Sequence, residues 1–431
     1  MLRTIKNFTI ENPISFKNKL LEWANLFNEV VFLDSNKYEH SYSNYDAVLA
    51  VDAFTSIKTD YFNAFDDLHQ YQSQSKDWLF GYLSYDLKND TEALTSKNFD
   101  GLEFPDLFFF QPKKLFFLKE NQLEMHYLRL CDDEMDSDFE EINATQNLQP
   151  TAYNLQPFSI EQRISKNTYL EKVSKMLEYI HRGDIYEANF CMEFYSEQAT
   201  INPVEIYQKL SAISEAPFAV YFKNKDQFLL SASPERYLKK EGIKVISQPI
   251  KGTSKRNSNA ELDEQSKIEL ENNPKERAEN VMIVDLVRND LSRTATKGSV
   301  IVEELCQVYT FKQVHQLVST VVSEVENTIS PLEIIKTTFP MGSMTGAPKI
   351  SAMKIIEELE ETKRGLYSGA VGYFSPEGDF DFNVVIRSIL YNAKNQYLSF
   401  SVGSAITAES TAFGEYEECL LKAKAMFEVL K

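Results

Sequence analysis

The sequence predicts an α+β protein with a large antiparallel component. Short apolar runs bounded by turn residues recur along the chain. Three segments beyond Ser165 read as helices, two of them marked by a capping residue. No repeat or low-complexity tract interrupts this pattern, which argues against solenoid and propeller architectures. With 431 residues, 43% hydrophobic and 13% aromatic, the chain can bury a large core, and its length allows two or three domains.

From Met1 to about Cys131, runs such as Val30-Val31-Phe32-Leu33 and Leu107-Phe108-Phe109-Phe110 alternate with turn-rich stretches, so mostly strands with a few helices are expected. The acidic, polar stretch 132–150 reads as a surface linker. It suggests an N-terminal region, 1–150, packed on a catalytic core, 151–431. Beyond Ser165, Tyr169, Val173, Met176, Leu177 and Ile180 fall on one helical face, with Gly183 as the C-cap. A second helix starts at Asn273-Pro274, where an N-cap and a first-turn proline precede Glu276 and Glu279. GEYEECLLKAKAMFEVLK forms the last helix. Strand character marks 219–233, 243–253, 367–374 and 382–392.

A net charge of -19 repels phosphate backbones and anionic lipid, so neither nucleic acid nor a membrane surface is an expected partner, and an anionic ligand needs a local basic pocket. The N-terminus lacks a signal-peptide apolar region, and no stretch approaches ~18 uninterrupted apolar residues. A cytoplasmic protein is expected. Cys131, Cys191, Cys306 and Cys419 are widely spaced with no CxxC pair, which suggests neither a zinc site nor a disulfide framework.

Several residues could carry chemistry. Lys251, between Pro249 and Gly252 at a strand end, becomes a neutral nucleophile or base if desolvation lowers its pKa; a loop lysine in an ion pair is the competing reading. Glu235 follows the apolar run 228–230 and suits a general acid, or else a surface pair with Arg236. Glu276 with Glu279, and Glu415 with Glu418, lie on helical faces and could hold a hard cation such as Mg2+. Helix-capping acids and an ordinary Glu418–Lys422 pair explain them equally. Arg387 in an apolar run, Gly403 among small residues, and Lys422 could together hold a dicarboxylate.

These segments, in order, resemble the chorismate-utilising enzymes, the family of anthranilate synthase component I, aminodeoxychorismate synthase component I, isochorismate synthase and salicylate synthase. The resemblance runs through GDIYEANF (183–190), SPER (233–236), PIKGT (249–253), ERAENVMIVDLVRNDLSR (276–293), LVS (317–319), FPMGSMTGAPK (339–349), GLYSGAVGYF (365–374), VVIRS (384–388) and ExxExxxK (415–422). It is strong over 165–431 and weak before that, where Leu33-Asp34-Ser35 sits like an N-terminal family element. The resemblance implies a chorismate-binding fold, large antiparallel sheets surrounded by helices. Lysine in PIKGT is similar to aminodeoxychorismate synthases, whereas anthranilate synthases carry alanine there. It implies that Lys251 attacks C2 of chorismate as the 4-hydroxyl leaves, that Glu235 protonates that hydroxyl, and that ammonia then adds at C4. By the same resemblance Glu279 and Glu418 bind Mg2+, and Tyr367, Arg387, Gly403, Lys422, Ser343 and Gln316 contact substrate. Glu276 and Glu415 stand one shell further out.

Three positions depart from the family. Gln316 stands where many relatives have histidine, and His315, one residue away, would face the other side of a strand. Ala405 replaces a frequent glycine and would be strained at positive φ. Glu187 replaces the water-activating lysine of isochorismate synthases, which argues against hydroxylation at C2. The implied product is 4-amino-4-deoxychorismate, for 4-aminobenzoate and folate biosynthesis. No GxCxG nucleophile elbow is present, so ammonia is expected from a separate glutamine amidotransferase subunit, and no pyruvate-eliminating lyase is expected after Lys422. Anthranilate synthase component I, or a non-catalytic homologue binding chorismate or tryptophan, are the alternatives.

Overall fold

A computed structural model describes residues 2–36, 38, 42–145 and 158–431. The architecture is α+β, with antiparallel strand pairing throughout and helices packed outside the sheets. Its hub is a pair of long strands, Ala47–Thr59 and Leu107–Lys119, joined along nearly their whole length. On its other edge, Leu107–Lys119 pairs first with Leu79–Leu83 and then with Gln122–Leu128. Two sheet arms diverge from this hub.

One arm continues from Ala47–Thr59 through Glu29–Asp34, Phe218–Asn224, Gln227–Ser233, Ser388–Asn392 and Tyr397–Thr407 to Glu187–Ser196. The other runs from Leu79–Leu83 through Ala370–Phe374, Phe380–Val384, Arg236–Glu241 and Lys244–Gln248 to Val314–Glu324. Segments on both sides of position 150 therefore share each arm. The 150/151 boundary itself lies outside the described residues.

Strand alternation explains how the arms pack. Val31, Val220 and Phe222 of the first arm meet Phe80, Tyr82 and Val371 of the second in one apolar cluster between the sheets. Their neighbours Val30, Phe32 and Tyr221 turn outward onto helices Pro13–Ala24, Lys166–Arg182, Pro203–Ser214 and Ala412–Val429. Leu79, Leu83, Ala370 and Phe374 turn outward on the second arm, against Pro274–Ser292 and Pro331–Thr338. The result is a helix–sheet–sheet–helix stack around three apolar layers.

The three expected helices are present with their caps. Ser165 caps Lys166–Arg182, which ends at Gly183 with φ 88°. Asn273 accepts from the amides of Lys275 and Glu276 at the start of Pro274–Ser292, and Thr411 opens the last helix, Ala412–Val429. The stretch from Asp132 is not a linker: 132–144 folds as a 3-10 turn and the helix Met135–Ala144, because Met135 and Ile142 are buried in the first cluster. Its remainder, 146–150, lies outside the described residues. The expected single strand over 382–392 is two, Phe380–Val384 and Ser388–Asn392, broken where Arg387 takes φ 50°. No helix among the described residues is long and apolar enough to cross a membrane. All four cysteines are free and buried.

Candidate active site

Pro249 interrupts the edge of the second arm, so Lys244–Gln248 and Ile250–Lys255 lie in succession along the same side of Val314–Glu324. Ile250 pairs with Val318 but Thr253 with Gln316, so three steps on one strand oppose two on the other, a bulge at Lys251-Gly252. Bulges re-aim side chains, and this one needs glycine: Gly252 has φ 96°, and a Cβ there would stand 3.1 Å from Glu276 Oε2. Lys251 is thereby directed off the ladder. Its Nζ lies 3.1 Å from Glu187 Oε1.

Of the two readings open for Lys251, the ion-paired lysine is the one found, and desolvation does not lower its pKa on balance. Burial does push it down, but Glu187, then Glu279 and Glu418, outweigh burial and hold it above its ordinary value. In the free protein Lys251 is an ammonium in an ion pair. Glu187 was considered in the sequence only as the absence of a lysine. It is 1% exposed, and its Oε2 has no hydrogen-bond partner. The signal that could have found it is a carboxylate opening the apolar-rich, almost fully buried strand Glu187–Ser196. Asn280 was also missed; its Nδ2 donates to the carbonyls of Lys251 at 3.1 Å and Leu317 at 3.2 Å, fixing the bulge to helix Pro274–Ser292.

Glu235 occupies the two-residue link between strands Gln227–Ser233 and Arg236–Glu241 and is buried. It does not pair with Arg236, whose guanidinium grips Asp381. Burial raises the Glu235 pKa to about 7, against the lowering pull of Ser343, Lys251, the Ile250 amide and Arg387. That places a proton-carrying carboxyl beside the lysine, within the range useful for acid catalysis near neutrality. Ser343 lies on the 3-10 turn Gly342–Met344, held by Asn189 Nδ2 donating to its carbonyl at 3.2 Å.

Three further carboxylates, Glu276, Glu279 and Glu418, lie within electrostatic reach of Lys251. Burial raises Glu279 to about 7, with Glu276 and Glu187 adding to the rise. Glu276 is raised by burial and by Glu418. Burial also opposes ionisation of Glu418, but Lys422 dominates and holds it below its ordinary value. Glu279 Oε1 is buried without a hydrogen-bond partner. Among the described residues, no three acidic, histidine or cysteine side chains converge tightly enough to complete a metal shell. Magnesium keeps waters and ligand oxygens and takes only one or two carboxylates, so Glu279 and Glu418 fit it as a partial shell. Glu415 is buried on helix Ala412–Val429, the helix that carries Glu418.

Arg387 sits on the turn between two strands, not within one. Its guanidinium has no hydrogen-bond partner among the described residues, and burial lowers its pKa while Glu235 and Tyr367 support its charge. Tyr367 is buried next to Cys191, whose thiol donates to the Tyr367 hydroxyl at 4.0 Å. Gly403 lies within strand Tyr397–Thr407 opposite Cys191. Lys422 Nζ donates to the Gly403 carbonyl at 2.9 Å and pairs with Glu418 at 2.7 Å. The ordinary i,i+4 pair is thus present, and the ammonium still has a third donor. An unpaired, half-buried arginine, a glycine strand and a tethered lysine can receive carboxylates.

Gln316 is buried, donating from Nε2 to Thr253 Oγ1 at 3.3 Å while its Oε1 lacks a partner. His315 faces away, bound to Thr310 and to Asp263 at 2.9 and 3.1 Å, as strand alternation requires. Ala405 does not have positive φ; it continues the strand, so the expected strain does not arise.

Comparison with known proteins shows the family and the fold. The family model described as chorismate binding enzyme matches residues 28–428. The chain is 35% identical over 355 residues to an anthranilate synthase component I-like protein of Synechocystis, covering 82% of this chain and 72% of that protein. It is 34% identical over 361 residues to aminodeoxychorismate synthase component 1 of Bacillus subtilis, covering 81% and 76%. The crystal structure of anthranilate synthase component I from Streptococcus pneumoniae superposes with a TM-score of 0.77 at 26% identity, covering 90% of this chain and 93% of that one. The chain belongs to the chorismate-binding enzyme family.

Proposed function

We propose that this chain aminates chorismate at C4, giving 4-amino-4-deoxychorismate, as the chorismate-binding component of an aminodeoxychorismate synthase. Lys251 carries the reading. Overall similarity favours amination at C2, as in anthranilate formation, to the same degree, because the two relatives are 35% and 34% identical to this chain. A lysine placed on a glycine-dependent bulge beside a protonated Glu235 supports the C4 chemistry specifically.

In the proposed reaction the Lys251 amine forms a bond to C2 of the ring, the two conjugated ring double bonds both shift, and the C4–O bond breaks. Glu235 gives its proton to the departing hydroxyl, which leaves as water. Ammonia then bonds to C4, both double bonds return, and the C2–N bond breaks with its electron pair restored to Lys251. The product carries the new ammonium, and Glu235 regains a proton from solvent. Arg387, Lys422 and the Gly403 strand hold the substrate carboxylates, with Tyr367, Ser343 and Gln316 around the ring. Mg2+ on Glu279 and Glu418 would supply positive charge to the ring carboxylate. Ammonia is proposed to come from a separate glutamine amidotransferase, in keeping with the name "component 1" borne by the Bacillus subtilis relative.

The test is chromatography of products from chorismate, magnesium and ammonium with the wild type and Lys251→Ala. Aminodeoxychorismate that is lost in the variant supports the reading; anthranilate, or no product from the wild type, overturns it.

A further inference from the structure

Resting on the reading just proposed, we infer that Glu187 is the internal proton acceptor that releases the Lys251 amine for attack. The geometry is specific. Glu187 Oε1 is 3.1 Å from Lys251 Nζ, and Glu187 is 1% exposed at the start of a buried strand. Its second oxygen, Oε2, is buried and unpartnered, so it has an open position where a proton can reside. A nucleophilic lysine must be neutral, yet the acids around this one favour its ammonium.

Other charged groups also face Lys251. Helix Pro274–Ser292 presents Glu276 and Glu279 with Lys275, the last helix presents Glu418 with Lys422, and the strand link presents Glu235 near Arg387. Of the acids, Glu187 alone is hydrogen-bonded to Nζ. Excluding water strengthens the cost of separated charges, so closing substrate over the pair favours amine and carboxylic acid over ammonium and carboxylate. One proton passes from Lys251 Nζ to Glu187. After ammonia expels Lys251 as a neutral amine, the same proton returns, so the Lys251–Glu187 pair is restored without solvent, which supplies only the proton that Glu235 spends.

The test compares wild type, Glu187→Gln and Glu187→Asp in chorismate, magnesium and ammonium between about pH 5 and 6, below the value near 7 at which Glu235 loses its proton. Rates are corrected for free ammonia. Wild type should vary little over this window. Glu187→Gln keeps a hydrogen-bonding group but no acceptor, so its turnover should drop at least about tenfold and climb steeply with pH. Glu187→Asp should retain the flat profile. Competitive acylation of Lys251 in the ligand-free proteins gives an independent readout: its amine should become more reactive at a given pH in Glu187→Gln, because the partner that raises its pKa is gone. More reactive Lys251 with turnover unchanged or increased, or the same flat profile in Glu187→Gln, overturns the acceptor role. Wild type yielding no aminodeoxychorismate instead fails the proposed function itself.

Discussion

Gly403 lies against Cys191 so closely that a Cβ on it would stand 2.6 Å from Cys191 Sγ and 2.9 Å from Asn189 Oδ1. The strand pair Tyr397–Thr407 and Glu187–Ser196 is therefore built around a missing side chain. Gly403→Ala should lower stability by about 1–3 kcal/mol through overpacking. Introducing Cys191→Ala as well should recover part of that loss, and denaturant melts of the single and double variants check it. Phe190 O, 3.0 Å from the same point, keeps the recovery incomplete.

Glu235 is the proposed acid, and Glu235→Gln should reduce turnover by about 10²–10⁴. In the wild type, activity corrected for free ammonia should fall as pH rises through about 7, where Glu235 loses its proton. Stability has the same sign. The folded protein binds the Glu235 proton more tightly than the unfolded chain, so its cost is absent below the unfolded carboxylate range near 4.5 and complete above about 7. Glu235→Gln should thus be more stable than wild type at pH 8, by up to about 3 kcal/mol, while matching it more closely at pH 5. Melting temperatures at the two pH values decide this.

Magnesium should be required, with chelation abolishing product formation. Glu279→Gln and Glu418→Gln should each weaken magnesium binding by about 10–100-fold, read by calorimetric titration with chorismate present. Glu418→Gln should also loosen Lys422, which keeps its contact to the Gly403 carbonyl but loses its carboxylate partner.

Arg387 holds a positive-φ turn and offers an unpaired guanidinium. Arg387→Lys keeps the charge but loses the planar fork, so KM for chorismate should rise at least about tenfold with a smaller change in melting temperature. Arg387→Gly, which suits φ 50°, should hold stability and lose binding. Steady-state kinetics paired with thermal melts separates the two effects.

The sequence by itself determined the α+β class, the three helices with the caps of two of them, and the membership in a chorismate-binding family, because caps, periodicity and ordered motifs are local properties of the chain. It also placed Lys251, Glu235, Arg387 and the two acid-bearing helices on the list of interest. It misread 132–144 as a linker, since two buried apolar residues there have partners only in the folded core. Tertiary structure alone decided the state of Lys251, for which local context left a desolvated amine and an ion-paired ammonium both open: Glu187, Glu279 and Glu418 come from three distant segments, and their summed field outweighs the effect of burial. The same holds for Glu235, whose neutral adjacent-residue pairing with Arg236 is broken because Asp381 across the sheet takes the arginine. Charges act through space, and only the fold sets which of them are near.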